Sequence, residues 1–307
     1  MQELDEVSPP RPSFLRRLGR SENVSGWALA SPAVVLIGIF GLLPVFMSLQ
    51  LSFQKSDLLT PETPWVGLDN YRKLADDPVF AEAIKHTIVY TALFVPGTML
   101  VGLLVAAAMN RSLRFISVYR TAAYVTMAVS TISQGIIFLW LTDRDYGLVN
   151  AGLNAVGVGS QPFLASPSQA LYVIVAMTVW GWTGFAVIVY LAALQGVPVE
   201  LHEAAAIDGA SAFTRFRTIT VPLLGPANLF LVVWLTINAL QVFGEVYATT
   251  RGGPLRATTV IVYYLWDRAF VQFDAGYAAA MAYALFVVIL VITAVQFRLA
   301  RRHVHYQ

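Results

Sequence analysis

The sequence predicts an all-α integral membrane protein with six transmembrane helices. Hydrophobic residues make up 57% of the 307 positions and charged residues 12%, whereas soluble domains are about 45–50% apolar and about 25% charged. Six segments are apolar enough to cross a bilayer and reach the roughly 20 residues that a crossing needs. The period-two alternation of a membrane β-barrel is absent from them.

The six segments are rich in Ala, Val, Leu and Ile, and Glu245 is the only carboxylate among them. They cover residues 29–51, 87–109, 120–141, 169–191, 223–247 and 277–299. We therefore expect a tail at residues 1–28, a membrane domain at 29–299 and a second tail at 300–307. Pro44 and Pro96 lie inside spans, where membrane helices tolerate proline better than soluble helices do.

The distribution of basic residues predicts that both termini lie in the cytoplasm. Lys and Arg accumulate in short cytoplasmic loops. Of the 20 basic residues, 12 fall in the N-terminal tail, the second and fourth connections and the C-terminus, and this side has the higher net charge. The first connection, residues 52–86, is then extracytoplasmic.

Several function classes are excluded by composition. The chain has no cysteine, so disulfides, thiolate metal sites and cysteine nucleophiles are absent. No cluster of acids and histidines has the spacing of a catalytic or metal site, so we expect neither catalytic residues nor a metal. A net charge of +2 is too small to indicate nucleic-acid binding.

The connection at residues 195–222 carries the most informative pattern. Pro198 suits the first position of a helix, and Glu200 and Glu203 complement the positive end of the helix dipole. Three alanines follow, and Gly209 is a natural helix stop. We expect a short helix, a turn and a second short helix that is broken before Pro222. One face of the first helix is only alanine, which favours a protein partner over lipid.

This connection resembles the signature of permease subunits of binding-protein-dependent ABC importers. The signature is Glu-Ala-Ala followed at set spacings by Gly, Ile and Pro, and here these positions are Glu203, Ala204, Ala205, Gly209, Ile219 and Pro222. Val221 stands where the family usually has leucine. The runs GLDNY at 67–71 and TRGGP at 250–254 are similar to the carbohydrate-uptake branch, the maltose-type first permease. The C-terminal residues resemble the glycerol-3-phosphate-type permease.

The resemblance implies the type I ABC importer permease fold in a bacterial plasma (inner) membrane. It implies that the helix bearing Glu203, Ala204, Ala205 and Asp208 docks on a cytoplasmic ATPase dimer. A second homologous permease would complete the pathway, and an extracytoplasmic binding protein would deliver a sugar or glycerophosphate-type solute. The chain lacks the phosphate loop GxxxxGK[ST]. ATP and magnesium are therefore expected on the partner, with no cofactor and no enzymatic activity on this chain.

A polar and aromatic stripe on the fifth span is predicted to line the solute pathway. At 100° per residue, Trp234, Asn238, Gln241 and Glu245 fall within roughly 60° of one another. An acid inside a membrane usually faces a bundle interior or water. Packing against another helix through hydrogen bonds is the alternative interpretation of this stripe.

Two further tryptophans, Trp180 and Trp182, are candidates for the same pathway, because aromatic faces stack on sugar rings. Packing in the core is the alternative for both. The alternative function for the whole chain is a secondary transporter driven by an ion gradient. Such carriers usually have several intramembrane acids or histidines, and here Glu245 is alone.

Overall fold

The computed structural model describes residues 22–57, 62–110 and 114–300. These residues form helices and, apart from two isolated bridges, no β-structure. The helices are α1 Gly26–Ser52, α2 Asp69–Asp76, α3 Pro78–Met109, α4 Ile116–Ala128, α5 Thr131–Leu141, α6 Leu148–Ala155, α7 Ala170–Gln195, α8 Val199–Ile207, α9 Ala212–Leu223, α10 Gly225–Leu240, α11 Gly244–Ala248, α12 Ile261–Trp266 and α13 Ala275–Ala300. The chain divides into two units, residues 1–51 and 52–307.

Four of these helices, α1, α3, α7 and α13, are long and apolar enough to cross a membrane unbroken. Two bent pairs qualify if each pair counts as one span: α4 with α5, at 102°, and α9 with α10, at 65°. The described residues therefore contain four to six candidate spans. The all-α membrane class is confirmed, whereas the continuous third and fifth helices expected at 120–141 and 223–247 are wrong.

The third segment breaks because Ser130 acts as a helix cap. Val129 and Ser130 are both extended, with ψ of 125° and 149°. The Ser130 hydroxyl accepts a hydrogen bond from the Ser133 amide at 3.3 Å, which satisfies one of the free donors at the start of α5. The Gln134 side-chain amide donates to the Val129 carbonyl at 2.9 Å and closes the elbow.

The fifth segment breaks because α11 packs closely on α5. Helix α10 ends at Leu240, Phe243 leaves the helical region with φ −143° and ψ −55°, and a new turn starts at Gly244. A Cβ atom on Gly244 would lie 3.1 Å from the Thr131 methyl group, and one on Gly135 would lie 2.7 Å from the Ala248 Cβ. Contacts this short are possible only because glycine or alanine stands at these positions and because α11 starts a new turn after the break.

The core of the second unit lies between α3 and α7. Tyr90, Phe94 and Tyr190 are almost fully buried there. A Cβ atom on Gly102 would stand 2.5 Å from the Ala186 Cβ, so glycine is needed where the two helices approach most closely. The Tyr190 hydroxyl donates to the Asn228 side-chain oxygen at 2.8 Å and links α7 to α10.

Proline changes the helices without ending them at two places. Single π turns at Gly38–Leu42 and Phe216–Thr220 each end two residues before a proline, Pro44 or Pro222. The wider turn relieves the clash between a proline ring and the carbonyl four residues earlier. The expected break before Pro222 is therefore wrong, because α9 continues through it to Leu223.

Helix α3 begins nine residues before the predicted start at 87. The Asp77 carboxylate caps it by accepting from the amides of Val79 and Phe80 at 2.8 and 3.3 Å. Pro78 occupies the first turn, where its missing amide hydrogen is not needed. The helix thus extends the second span into the first connection.

Candidate translocation cavity and coupling loop

The connection between α7 and α10, residues 196–224, forms a short helix that ends in a tight turn. Helix α8 stops at Ile207, and the Ala210 and Gly209 amides donate back to the carbonyls of Ala205 and Ala206 at 2.9 and 3.1 Å. Gly209 has φ +80°, the left-handed conformation that this terminal motif requires. The expected helix and glycine stop are therefore present.

Helix α8 presents an accessible surface. Glu203, Ala204 and Asp208 are exposed, while Ala205 is half-buried. Ile207 at the end of the helix is 87% exposed. The small exposed residues of this helix leave room for another surface to approach its backbone closely. Of the other signature positions, Ile219 is half-buried and Pro222 exposed, both on α9.

Hydrogen bonds from α9 hold α8 in position. An Arg215 guanidinium nitrogen donates to the His202 carbonyl at 3.2 Å, and the His202 Nε2 lies 3.4 Å from the Thr220 hydroxyl. These groups line a cleft of about 740 Å³ together with Asn110 and Gln195, at the ends of α3 and α7. Helix α8 is thus held by α9, and the ends of α3 and α7 lie across the same cleft.

Two small cavities lie among α5, α7, α10 and α11, with volumes of about 270 and 280 Å³. Thr131, Trp182 and Glu245 line both. The first is also lined by Asn238 and Gln241.

Trp234 and Gln134 line the second cavity. The structure thus brings five of the six candidate pathway residues around adjoining cavities. Trp234 and Asn238 reach the cavities from α10. Gln241 and Glu245 reach them from beyond the break that follows Leu240.

Trp180, the sixth candidate, lies elsewhere. Its ring packs against Phe138 at 5.8 Å between centroids and lines neither of these cavities. Trp182, in contrast, is part of a connected set of rings. Its centroid lies 5.7 Å from that of Phe185, which in turn lies 6.1 Å from that of Trp234. Pockets for small molecules are typically lined by aromatic rings and a few polar groups, and both kinds of group line these cavities.

Glu245 lies at the junction of the two cavities with no ion pair among the described residues. Other polar residues that line the first cavity are Asn238, Gln241, Thr131 and Thr178. Arg251 and Arg256 line a separate cleft, so neither forms the ion pair that would neutralise this carboxylate.

The sequence model for the family described as "binding-protein-dependent transport system inner membrane component" matches residues 98–305. The chain belongs to this family. It is a permease subunit of an ABC importer, which makes it a transport component rather than an enzyme. It is a component of the inner membrane.

Curated relatives resemble this permease over nearly their whole length. The lactose transport system permease protein LacF of Rhizobium radiobacter is 34% identical, with 92% of this chain and 96% of that protein covered. The sn-glycerol-3-phosphate transport system permease protein UgpA of Agrobacterium fabrum is 33% identical, covering 91% and 96%.

A solved structure shares the fold of this permease. A chain of a bacterial ABC transporter involved in the import of the acidic polysaccharide alginate superposes with a TM-score of 0.82 at 24% identity. The match covers 95% of this chain and 99% of that chain. The predicted type I permease fold is confirmed.

Some cavity residues of the permease were not predicted from its sequence. Tyr90 and Phe94 of α3 and Thr178 of α7 line the first cavity. Their segments are apolar on all sides, so periodicity does not reveal which face meets a cavity. Thr131 follows the cap Ser130, and recognition of that cap would have placed it at an elbow.

At the Asp77 end of α3 the permease has a polar brace. The second Asp77 oxygen accepts from the Tyr264 and Tyr277 hydroxyls at 2.6 and 2.7 Å. Arg268 donates to the Tyr264 hydroxyl at 2.9 Å and lies 3.8 Å from the carboxylate. Burial raises the pKa of Asp77, but the hydrogen bonds to its charged form outweigh this and hold the pKa below its usual value. The brace joins α3, α12 and α13.

Proposed function

We propose that this permease forms half of the pathway for uptake of a sugar or glycerophosphate-type solute. The observation that carries the proposal is the cavity pair lined by Trp182, Trp234, Asn238, Gln241 and Glu245. Hydroxyls that leave water need partners, because an unpaired buried polar group costs roughly 1–3 kcal/mol. Amide, hydroxyl and carboxylate groups beside aromatic rings supply those partners.

The pathway requires further subunits. We infer that a second homologous permease closes the open side of the cavities and that an extracytoplasmic binding protein delivers the solute. A related alginate importer has been solved in complex with its alginate pentasaccharide-bound periplasmic protein, which supports a partner of this kind. ATP and magnesium would be held by an ATPase dimer in the cytoplasm.

The coupling residues in this proposal are Glu203, Ala204, Ala205, Asp208 and Gly209, with Ile219 and Pro222 supporting them from α9. Helix α8 would dock in a cleft of the ATPase. Its contacts through His202 and Arg215 would transmit movement of the ATPase to α9, which lines the same cleft as the ends of α3 and α7. Because α10 starts after this loop and ends at the cavities, one helix joins the two sites.

We infer the solute class from Glu245, the one carboxylate that lines both cavities. Glu245 accepts hydrogen bonds from neutral hydroxyls, and in its ionised form it repels a phosphate. This favours a neutral sugar, as the name of the relative LacF indicates for lactose, over glycerol 3-phosphate, as the name of UgpA indicates.

The experiment is a solute screen on the purified assembly. The chain is tagged, co-purified with its ATPase and second permease, and placed in lipid vesicles with candidate binding proteins. Stimulation of ATP hydrolysis by neutral sugars, and not by glycerol 3-phosphate, supports this assignment. Stimulation by glycerol 3-phosphate alone would overturn the neutral class, and no stimulation by any solute would overturn the proposal.

The orientation is tested separately, because the chain has no native cysteine. We propose that residues 1–28 and 300–307 lie in the cytoplasm. A membrane-impermeant thiol reagent should label Asp69→Cys in cells with a permeable outer membrane, and should label Ala206→Cys only after the plasma membrane is opened. The reverse pattern would overturn the orientation.

A further inference from the structure

The loop of residues 249–260, here called the arginine loop, joins α11 to α12. It follows the end of α10 that is remote from the coupling loop. If α10 crosses the membrane, the arginine loop lies on the opposite side from α8, which is the extracytoplasmic side in the proposed orientation. A partner that approaches from outside would meet this loop.

Buried threonines hold the arginine loop in one shape. The Thr250 and Thr258 hydroxyls lie 2.6 Å apart, and the Thr258 hydroxyl donates to the Gly253 carbonyl at 2.8 Å. The Thr259 hydroxyl donates to the Gly252 carbonyl at 3.2 Å. Thr258 is fully buried and Thr259 nearly so, although the loop is at the surface.

Two contacts attach the end of the loop and the first residue of α12 to the long helix α3. The His86 ring nitrogen Nδ1 lies 3.0 Å from the Thr259 carbonyl, and the Ile261 amide donates to the Thr87 hydroxyl at 3.1 Å. Gly252 has φ +81°, and a Cβ atom there would meet the Thr259 hydroxyl and the Tyr263 ring at 2.8 Å. The loop is therefore a fixed part of the fold.

This scaffold presents an exposed leucine between two arginines. Leu255 is 89% exposed, and Arg251 and Arg256 are exposed on either side of it in sequence. All three have left-handed backbones, with φ of +51°, +50° and +64°. Residues other than glycine rarely adopt this backbone conformation unless the surrounding structure holds them in it, and such backbone strain is concentrated at functional sites.

The two arginines carry unneutralised charge. None of the ion pairs among the described residues includes Arg251 or Arg256. Both line a cleft of about 270 Å³ with Tyr263 and Asp267. Asp267 forms an ion pair with neither arginine among the described residues, so two guanidinium groups and one carboxylate leave the cleft net positive. The planar guanidinium group of arginine binds a carboxylate through two parallel hydrogen bonds. The cleft is large enough for one acidic side chain.

We propose that Arg251, Leu255 and Arg256 form a docking knob for an acidic, partly apolar patch on the solute-binding protein. This rests on the proposed function. An aspartate or glutamate of the partner enters the cleft between the arginines, and an apolar neighbour covers Leu255. A lipid headgroup would also meet positive charge, but a fluid surface does not need a backbone held rigidly at three unfavourable positions. Arginine is also enriched among the residues that dominate protein interfaces.

The test measures how the binding-protein concentration activates ATP hydrolysis in the vesicle-reconstituted assembly. The probe is the binding protein and solute that activate the wild-type assembly most strongly. Arg256→Glu should raise the half-activating concentration at least tenfold and leave the maximal rate unchanged. Leu255→Asp should act in the same direction, and Arg256→Lys should stay within threefold of wild type. The wild-type half-activating concentration should rise with salt, and this rise should be weaker in Arg256→Glu.

Arg144→Glu is the matched control, since Arg144 is an exposed arginine in another connection on the same proposed side. It should leave the half-activating concentration unchanged. Basal ATP hydrolysis without binding protein reports that each variant has folded. If the half-activating concentrations of Arg256→Glu and Leu255→Asp match that of wild type, or if Arg144→Glu raises it as strongly, the proposed docking site is wrong while the proposed function stands. If no binding protein activates the wild-type assembly, both fail.

Discussion

Substitution of Gly209 tests how the coupling helix ends. Gly209 has φ +80° and its Cβ position is open, with no atom within 4 Å. Any loss caused by a small side chain is therefore conformational rather than steric. For an L-residue other than glycine the left-handed region costs roughly 1–2 kcal/mol, and asparagine tolerates it best.

The magnitude follows from this cost. A change of 1–2 kcal/mol alters a two-state ratio by roughly 5- to 30-fold. Gly209→Ala should therefore reduce the ratio of native to non-native turn by about this factor. Gly209→Val should lose more, since β-branched residues are least suited to positive φ. Gly209→Asn is the control and should retain most activity.

The assay is solute-stimulated ATP hydrolysis by the reconstituted assembly, measured beside the amount of ATPase subunit that co-purifies. We expect activity to fall in the order Gly, Asn, Ala, Val, with membrane insertion unchanged. Wild-type stimulation in the Val variant would refute the reasoning, because it would show that the turn does not position α8.

The remaining predictions concern the cavity, the core and the brace. Asn238→Ala and Gln241→Ala should each lower uptake about tenfold with the assembly intact, since one unpaired solute hydroxyl costs roughly 1–3 kcal/mol; normal uptake, measured with labelled solute, would assign both residues to packing. Gly102→Ala should destabilise the detergent-solubilised chain by about 1–3 kcal/mol, because its Cβ would lie 2.5 Å from a neighbouring Cβ, whereas Gly152→Ala, with open space around it, should not lower the melting temperature. The pKa of Asp77 is lowered in the folded chain, so its contribution to stability is complete above about pH 4 and is lost as the pH falls through the folded-state pKa. The difference in melting temperature between wild type and Asp77→Asn should be constant from pH 5 to 8 and shrink below pH 4.

Composition and motifs were sufficient to predict the class, the family and the short helix that ends before Gly209. Long apolar runs indicate membrane helices without any knowledge of tertiary contacts. The positive φ of Gly209 follows from its place directly after a helix. The start of α3 was also readable, because Asp77-Pro78 is a cap followed by a first-turn proline. Hydropathy missed it, since Glu82, Lys85 and His86 make the first turns polar.

The bends were harder to predict. An apolar run looks the same whether it crosses a membrane straight or folds back, so the sequence predicts one continuous helix for each of residues 120–141 and 223–247. The break at Phe243 depends on contacts between α11 and α5, such as Gly135 against Ala248. Those contacts are separated by more than 100 positions in sequence. The stripe of Trp234, Asn238, Gln241 and Glu245 was predicted from helical geometry that does not hold beyond Leu240, although the same residues still meet at the cavities.

The most direct test of ATP-driven import is uptake into sealed vesicles that contain the complete assembly. Vesicles are loaded with ATP and magnesium, given solute and binding protein outside, and treated with ionophores that abolish ion gradients. We predict that labelled solute accumulates under these conditions and that vesicles without ATP take up none, even with an imposed proton or sodium gradient. Accumulation that follows the ion gradient and persists without ATP would contradict the account.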